Sequence, residues 1–180
     1  MSTWIGLFRG INVGGRRVLP MAELKEDLLS LGLTDVRTYI QSGNVVFGSS
    51  ARSPSTLAKK ITARVEQRYR FRPELLLLRP QDVQQVVDHN PFPQGASDPK
   101  TLHCFFLAAA AAAADHEALE SAKRPSERYV LTSQVFYLHA PQGVARSKLA
   151  ANVERYLGVA TTARNFRTVV RLWEMVSAGS

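Results

Sequence analysis

Two stretches of the chain open the same pattern, and that recurrence restricts the fold more than any other feature. Thr3–Arg9, "TWIGLFR", and Thr101–Leu107, "TLHCFFL", each place a threonine before a mostly apolar run containing phenylalanine. Short apolar runs of this kind read as buried strands. After the first, Pro20 suits an opening helical turn, and Met21, Leu24, Leu28 and Leu31 follow at helical spacing up to a Gly32 cap. "DVRTYI" and "NVVF" flank the hairpin turn "QSGN". Ser53-Pro54 opens a second helix bearing Leu57, Ile61, Val65 and Tyr69, and "ELLLL" (Glu74–Leu78) reads as a buried strand. A short helix from Pro80 through Val83, Val86 and Val87 completes the series. The predicted order is β-α-β-β-α-β plus a helix, the split ferredoxin-like pattern.

"NPFPQGASDP" (Asn90–Pro99) reads as a proline-rich connection. The pattern then restarts. The alanine run Ala108–Ala114 leads into "DHEALESAK", helical by propensity. "ERYVLTSQVFYLHA" parallels "VRTYIQSGNVVFG", with Ser133 at the tip position of Ser42. Ser147 opens "SKLAANVERYLG", "GVATTAR" is a short final strand, and Asn165 caps a helix expected to bury Val169, Val170, Trp173 and Val176. The expectation is an α+β protein of two tandem ferredoxin-like halves, residues 1–90 and 101–180, joined by the connection at 91–100. It has an extra helix after each half, and duplication as its origin. A half of this size is marginal alone, so the second is expected to pack on the first.

The single cysteine, Cys104, cannot form an internal disulfide, and "MSTWIGLFRG" lacks the pattern of a signal peptide. No apolar run approaches the roughly 18 residues of a spanning helix. Both points favour a reducing, cytoplasmic setting with no membrane partner. The net charge of +8 is uneven: 14 Lys+Arg oppose 12 Asp+Glu in residues 1–120, and 9 oppose 3 in residues 121–180. A positive surplus of this kind either draws phosphate-bearing partners or merely keeps the protein in solution.

"RGINVGGRR" (Arg9–Arg17) concentrates arginine and glycine with no acid among them. It approaches a Walker A loop, but Arg16 stands at the lysine position, Arg17 replaces the hydroxyl, and Pro20 delays the helix. An ATPase reading fails on those grounds. Two readings survive: consecutive glycine amides forming an anion-binding nest flanked by guanidinium groups, or a tight excursion in which Asn12, Gly14 and Gly15 supply positive φ. Ser42 and Asn44 are ordinary hairpin residues that also offer polar groups. The loop and the hairpin are not expected to share an end of the sheet. In the second half Lys148, Arg164 and Arg167 are candidate cations, and Asn165 is a cap or a ligand contact. A base at a helix N-terminus such as Lys148 is easier to explain if an anion visits.

The stretches "LFRGINVGGRRVLPMAEL", "TYIQSGNVVF", "RSKL" and "TTARNFRTV" closely resemble signature motifs of an uncharacterised bacterial family, domain of unknown function 1697. The likeness runs from about Trp4 to Trp173. It implies an α+β fold with ferredoxin-like halves and no assigned activity. The family more often has Thr-Thr-Arg-Asn-Trp where this chain has Thr161 to Phe166, and lysine near Arg16.

No conventional catalytic set is present. His89, His103, His116 and His139 lack ligand spacing, so neither a metal nor another cofactor is expected. His103 and Cys104 point to opposite strand faces, and Cys104 reads as core packing. The leading expectation is a module that binds an anion, a nucleotide or a nucleic acid backbone, through Arg9, Asn12, Gly14, Gly15, Arg16, Ser42, Asn44, Lys148, Arg164, Asn165 and Arg167. The alternatives are an enzyme acting on a phosphorylated or carboxylated small molecule, and a protein-interaction module.

Overall fold

The computed structural model describes residues 1–98 and 100–178 of the chain. They form two compact units, Met1–Gln84 together with the residues from Leu172 onward, and Gln85–Arg171. Each is built on one four-stranded sheet, and every strand pairing is antiparallel.

In the first unit the order along the chain is β1 (Ser2–Arg9), α1 (Met21–Ser30), β2 (Thr34–Tyr39), β3 (Asn44–Ser49), α2 (Pro54–Tyr69) and β4 (Glu74–Leu78), followed by the start of α3 (Pro80–Asp88). The strands lie β2-β3-β1-β4. Trp4, Phe8 and Phe47 from the sheet meet Leu24 and Leu28 of α1 and Leu57, Ile61 and Val65 of α2 in one core. Those helix residues are the ones the 3.6-residue spacing selects. Local chemistry sets the helix ends. Ser53 Oγ accepts from the Thr56 amide, with Pro54 next in line. At the far end of α1, Gly32 at φ 80° lets its amide reach Leu29 O and the Leu33 amide reach Leu28 O, closing a Schellman motif.

A buried carboxylate joins α1 to α2. Asp27, 1% exposed, accepts from Arg64 Nε at 2.9 Å and Arg68 Nη1 at 3.0 Å, and Arg68 also reaches Glu23. Its burial is tolerable because each charge has an opposite partner.

The second unit runs α4 (Pro93–Ser97), β5 (Leu102–Leu107), α5 (His116–Ala122), β6 (Arg128–Leu131), β7 (Val135–His139), α6 (Lys148–Leu157), β8 (Thr161–Asn165) and the first part of α7 (Phe166–Ser177). Its strands lie β6-β7-β5-β8. Phe105, Phe136 and Leu138 pack with Leu119 of α5 and Leu149, Val153 and Leu157 of α6. Ser147 Oγ caps α6 through the Ala150 amide at 3.0 Å, and Asn165 Oδ1 caps α7 through the Thr168 amide at 2.9 Å.

Three expectations need correcting. The strand β4 is half-buried rather than buried, because it is an edge of its sheet. The connection after Asn90 contains α4, whose Gly95 sits so close to Leu102 that a Cβ there would lie 3.0 Å from that residue's own Cβ; Pro99 lies outside the described residues. The helix expected in "DHEALESAK" is α5, which Asp115 caps through the Ala118 amide after an irregular alanine run. In α7 the buried face comprises Phe166, Val169, Leu172, Met175 and Val176, leaving Val170 and Trp173 half-buried. Its apolar stripe is wide enough for packing to choose a different edge of it.

Candidate anion-binding loop

Leaving β1, the chain turns at Gly10 (φ 69°), buries Ile11, and enters a short two-stranded flap. Val13 and Arg16 face each other in an isolated bridge. The Arg16 amide donates to Val13 O at 3.1 Å and the Asn12 amide to Arg17 O at 3.2 Å. Gly14 and Gly15, at φ 58° and 71°, occupy the two positive-φ positions of a type I′ turn. A Cβ at either would meet nothing within 4 Å, so no close approach demands glycine there. Turn geometry accounts for both.

Asn12 anchors this flap. Its Nδ2 donates to Leu19 O at 2.9 Å and to Gln41 O at 2.7 Å, while Oδ1 accepts from the Leu19 amide at 2.8 Å. One side chain therefore ties both flap ends to the β2–β3 hairpin. The hairpin is fixed in turn: the Phe8 amide donates to Gly43 O at 2.8 Å, and Asn44 Nδ2 donates to Tyr39 O at 3.1 Å and to Ser42 Oγ at 2.8 Å. The expectation that loop and hairpin lie at different ends is overturned. In the order β2-β3-β1-β4, β3 runs antiparallel to β1, so the hairpin that starts β3 sits where β1 finishes.

The α2–β4 connection reaches the same end, since Arg9 pairs in register with Glu74. Three acids here are already engaged: Glu74 with Arg9 at 3.0 Å, Glu66 with Arg72 at 3.3 Å, and Glu23 with Arg68 at 2.7 Å. Among the described residues Arg16, Arg17 and Arg70 have no acidic partner. Arg70 terminates α2 in the left-handed region at φ 61°. It was absent from the sequence-based set, although "RYRFR" spaces three arginines at alternate positions. Exposed apolar side chains share this end: Val13 is 70% exposed, Val18 57%, and Ile40 52% with φ at 49°. A β-branched residue at positive φ is unusual and strained.

The candidates of the second unit gather at one end of their own sheet, because β7 finishes opposite Leu102 and β8 finishes opposite His103. Lys148 is exposed in the first turn of α6, and Arg167 is exposed on α7. Arg164 lies on β8 opposite Cys104 and donates to Ala163 O at 2.8 Å; burial pushes its guanidinium down to about 10. Asn165 has its oxygen on the α7 cap. Cys104 is buried, and desolvation pushes its thiol well up, away from the thiolate a nucleophile needs.

The chain is thus an α+β protein with two four-stranded antiparallel sheets and an arginine-bearing flap. The chain belongs to the family described as "Protein of unknown function (DUF1697)", whose model matches residues 1–137. It is also similar to a solved structure, that of the conserved bacterial protein SP0830 from Streptococcus pneumoniae. That likeness has 26% identity and a TM-score of 0.73, covering 97% of this chain and 98% of the other. No curated protein matches the chain. Among the described residues no helix is long and apolar enough to cross a membrane.

Proposed function

We propose that the protein is a cytoplasmic module binding a phosphate-bearing anion, a nucleotide or a nucleic acid backbone, at the arginine flap of the first unit. The observation that carries this reading is the trio Arg16, Arg17 and Arg70, left without acids at the end of the sheet from which the flap, its base held by Asn12, projects. A guanidinium forms two parallel bonds to a phosphate, and an anchored base lowers the ordering cost of doing so. Arg9, paired with Glu74, borders the site, while Gly14, Gly15, Ser42 and Asn44 shape the platform. In the second unit Lys148, Arg164 and Arg167 supply positive charge and Asn165 a polar group.

The same reading takes residues 1–90 and 101–180 as tandem ferredoxin-like halves arising by duplication. Support comes from the matching element orders and from strand orders that coincide when β5–β8 are set against β1–β4.

Binding of fluorescent single-stranded RNA, duplex DNA and a labelled nucleotide should be measured across a salt series. A single strand contacting all three arginines gives a log–log slope near −2, from about 0.7 per phosphate. Replacing Arg16, Arg17 and Arg70 by glutamine should flatten that slope. No binding at low salt, or unaltered binding by the triple variant, would refute the proposal. Exposed Val13, Val18 and Ile40 favour a second reading, a protein partner at the same end, which would show as association insensitive to salt.

A further inference from the structure

A second site lies on the first unit, along the free edge formed by β2. There the ladder slips: Thr34 pairs with Gly48 and Arg37 with Val46, so Asp35 and Val36 together oppose Phe47. Asp35 sits in the bulge at φ 50°. Bulges beside concave surfaces commonly re-aim side chains for function. Here the bulge borders a cavity of about 670 Å³, lined by Lys25 and Leu29 of α1, Asp35 and Arg37 of β2, Phe47 of β3, and Val176. This volume falls within the range of small-molecule sites, roughly 300–1,000 Å³.

The chemistry of the lining is mixed in a particular way. Lys25 and Leu29 are exposed one turn apart on the same helix face, and Leu29 is 47% exposed despite being apolar. The side chains of Lys25, Asp35 and Arg37 make no ion pair or hydrogen bond among the described residues, although all three residues border one cavity. Elsewhere in this unit acids and arginines pair readily, as Asp27, Glu23, Glu66 and Glu74 do. Two cations and one acid leave a surplus of one positive charge beside the exposed Leu29. We propose that this groove binds a small amphipathic monocarboxylate, its head drawn to Lys25 and Arg37 at the β2 edge and its apolar body on the exposed Leu29.

The test uses the full chain labelled with ¹⁵N and three eight-carbon probes: octanoate, octanol and octylamine. Octanoate should give saturable amide shifts at Lys25, Leu29, Asp35 and Arg37, and bind at least fivefold more tightly than octanol. Octylamine should bind most weakly. Lys25→Gln with Arg37→Gln, both exposed positions, should erase the preference for octanoate over octanol. The triple arginine variant of the flap should leave it intact. The proposal is overturned if octylamine binds as well as octanoate, if the shifts fall elsewhere, or if the charge-neutral double variant keeps the preference. Should that variant fail to fold, the ranking of the three probes on the unaltered protein decides alone.

Discussion

Replacing Gly43 by alanine probes whether the hairpin tip really sits against the root of the flap. Gly43 has φ 77°, and a Cβ added there would lie 2.6 Å from Ile11 Cδ1 and 2.7 Å from Phe8 Cβ. The isoleucine methyl can swing away. The Phe8 Cβ cannot, because it is fixed to β1, whose amide at that residue holds Gly43 O at 2.8 Å. The left-handed backbone costs an alanine about 1–2 kcal/mol, and forcing a methyl into an occupied site costs about 1–3 kcal/mol more. The expected loss is therefore about 2–5 kcal/mol. Gly14 supplies the control: φ is 58°, but nothing lies within 4 Å of its added Cβ. Gly14→Ala should show only the backbone cost, about 1–2 kcal/mol. Urea unfolding followed by circular dichroism measures both, with the slope m unchanged if only stability moves. In a unit of this size each kcal/mol shifts Tm by roughly 4–8 °C. Losses for the two variants agreeing within about 0.5 kcal/mol, close to the error of such extrapolations, would mean that the close approach is absent.

Three further outcomes are expected. Asn12→Ala removes three hydrogen bonds at the flap base, each worth about 0.5–1.5 kcal/mol net; amide exchange at Val13–Val18 should accelerate while α2 keeps its protection, and uniform acceleration would contradict the anchoring role. Burial lowers the His103 pKa below its ordinary 6.5, so the unfolded chain binds the proton more readily than the folded one. Stability should then fall as pH drops through 6.5 toward the folded value, and His103→Gln should remove that part of the slope; parallel profiles for the two proteins would rule it out. Finally, Cys104 should resist a thiol reagent at pH 8 in the native protein and react at the rate of unfolding, whereas immediate labelling would place the thiol at the surface.

Local events were legible in the residues alone. Ser53, Ser147 and Asn165 were legible as caps because each bonds an amide three residues on. The positive-φ role of Asn12, Gly14 and Gly15 was legible as well, since a turn is set by its own few residues. Tertiary structure decided what distant segments share. Asn12 meets Gln41 across 29 positions only because the sheet order places β3 beside β1. Which arginines keep a free charge follows from Glu66 and Glu74 claiming Arg72 and Arg9, while Arg16, Arg17 and Arg70 have no acid partner among the described residues. The edge position of β4, the buried face of α7 and the groove at β2 belong to the same class. A hydrogen bond between neighbours is encoded where it forms, while an ion pair or a cavity between distant segments exists only once the ladder has fixed which strands lie side by side.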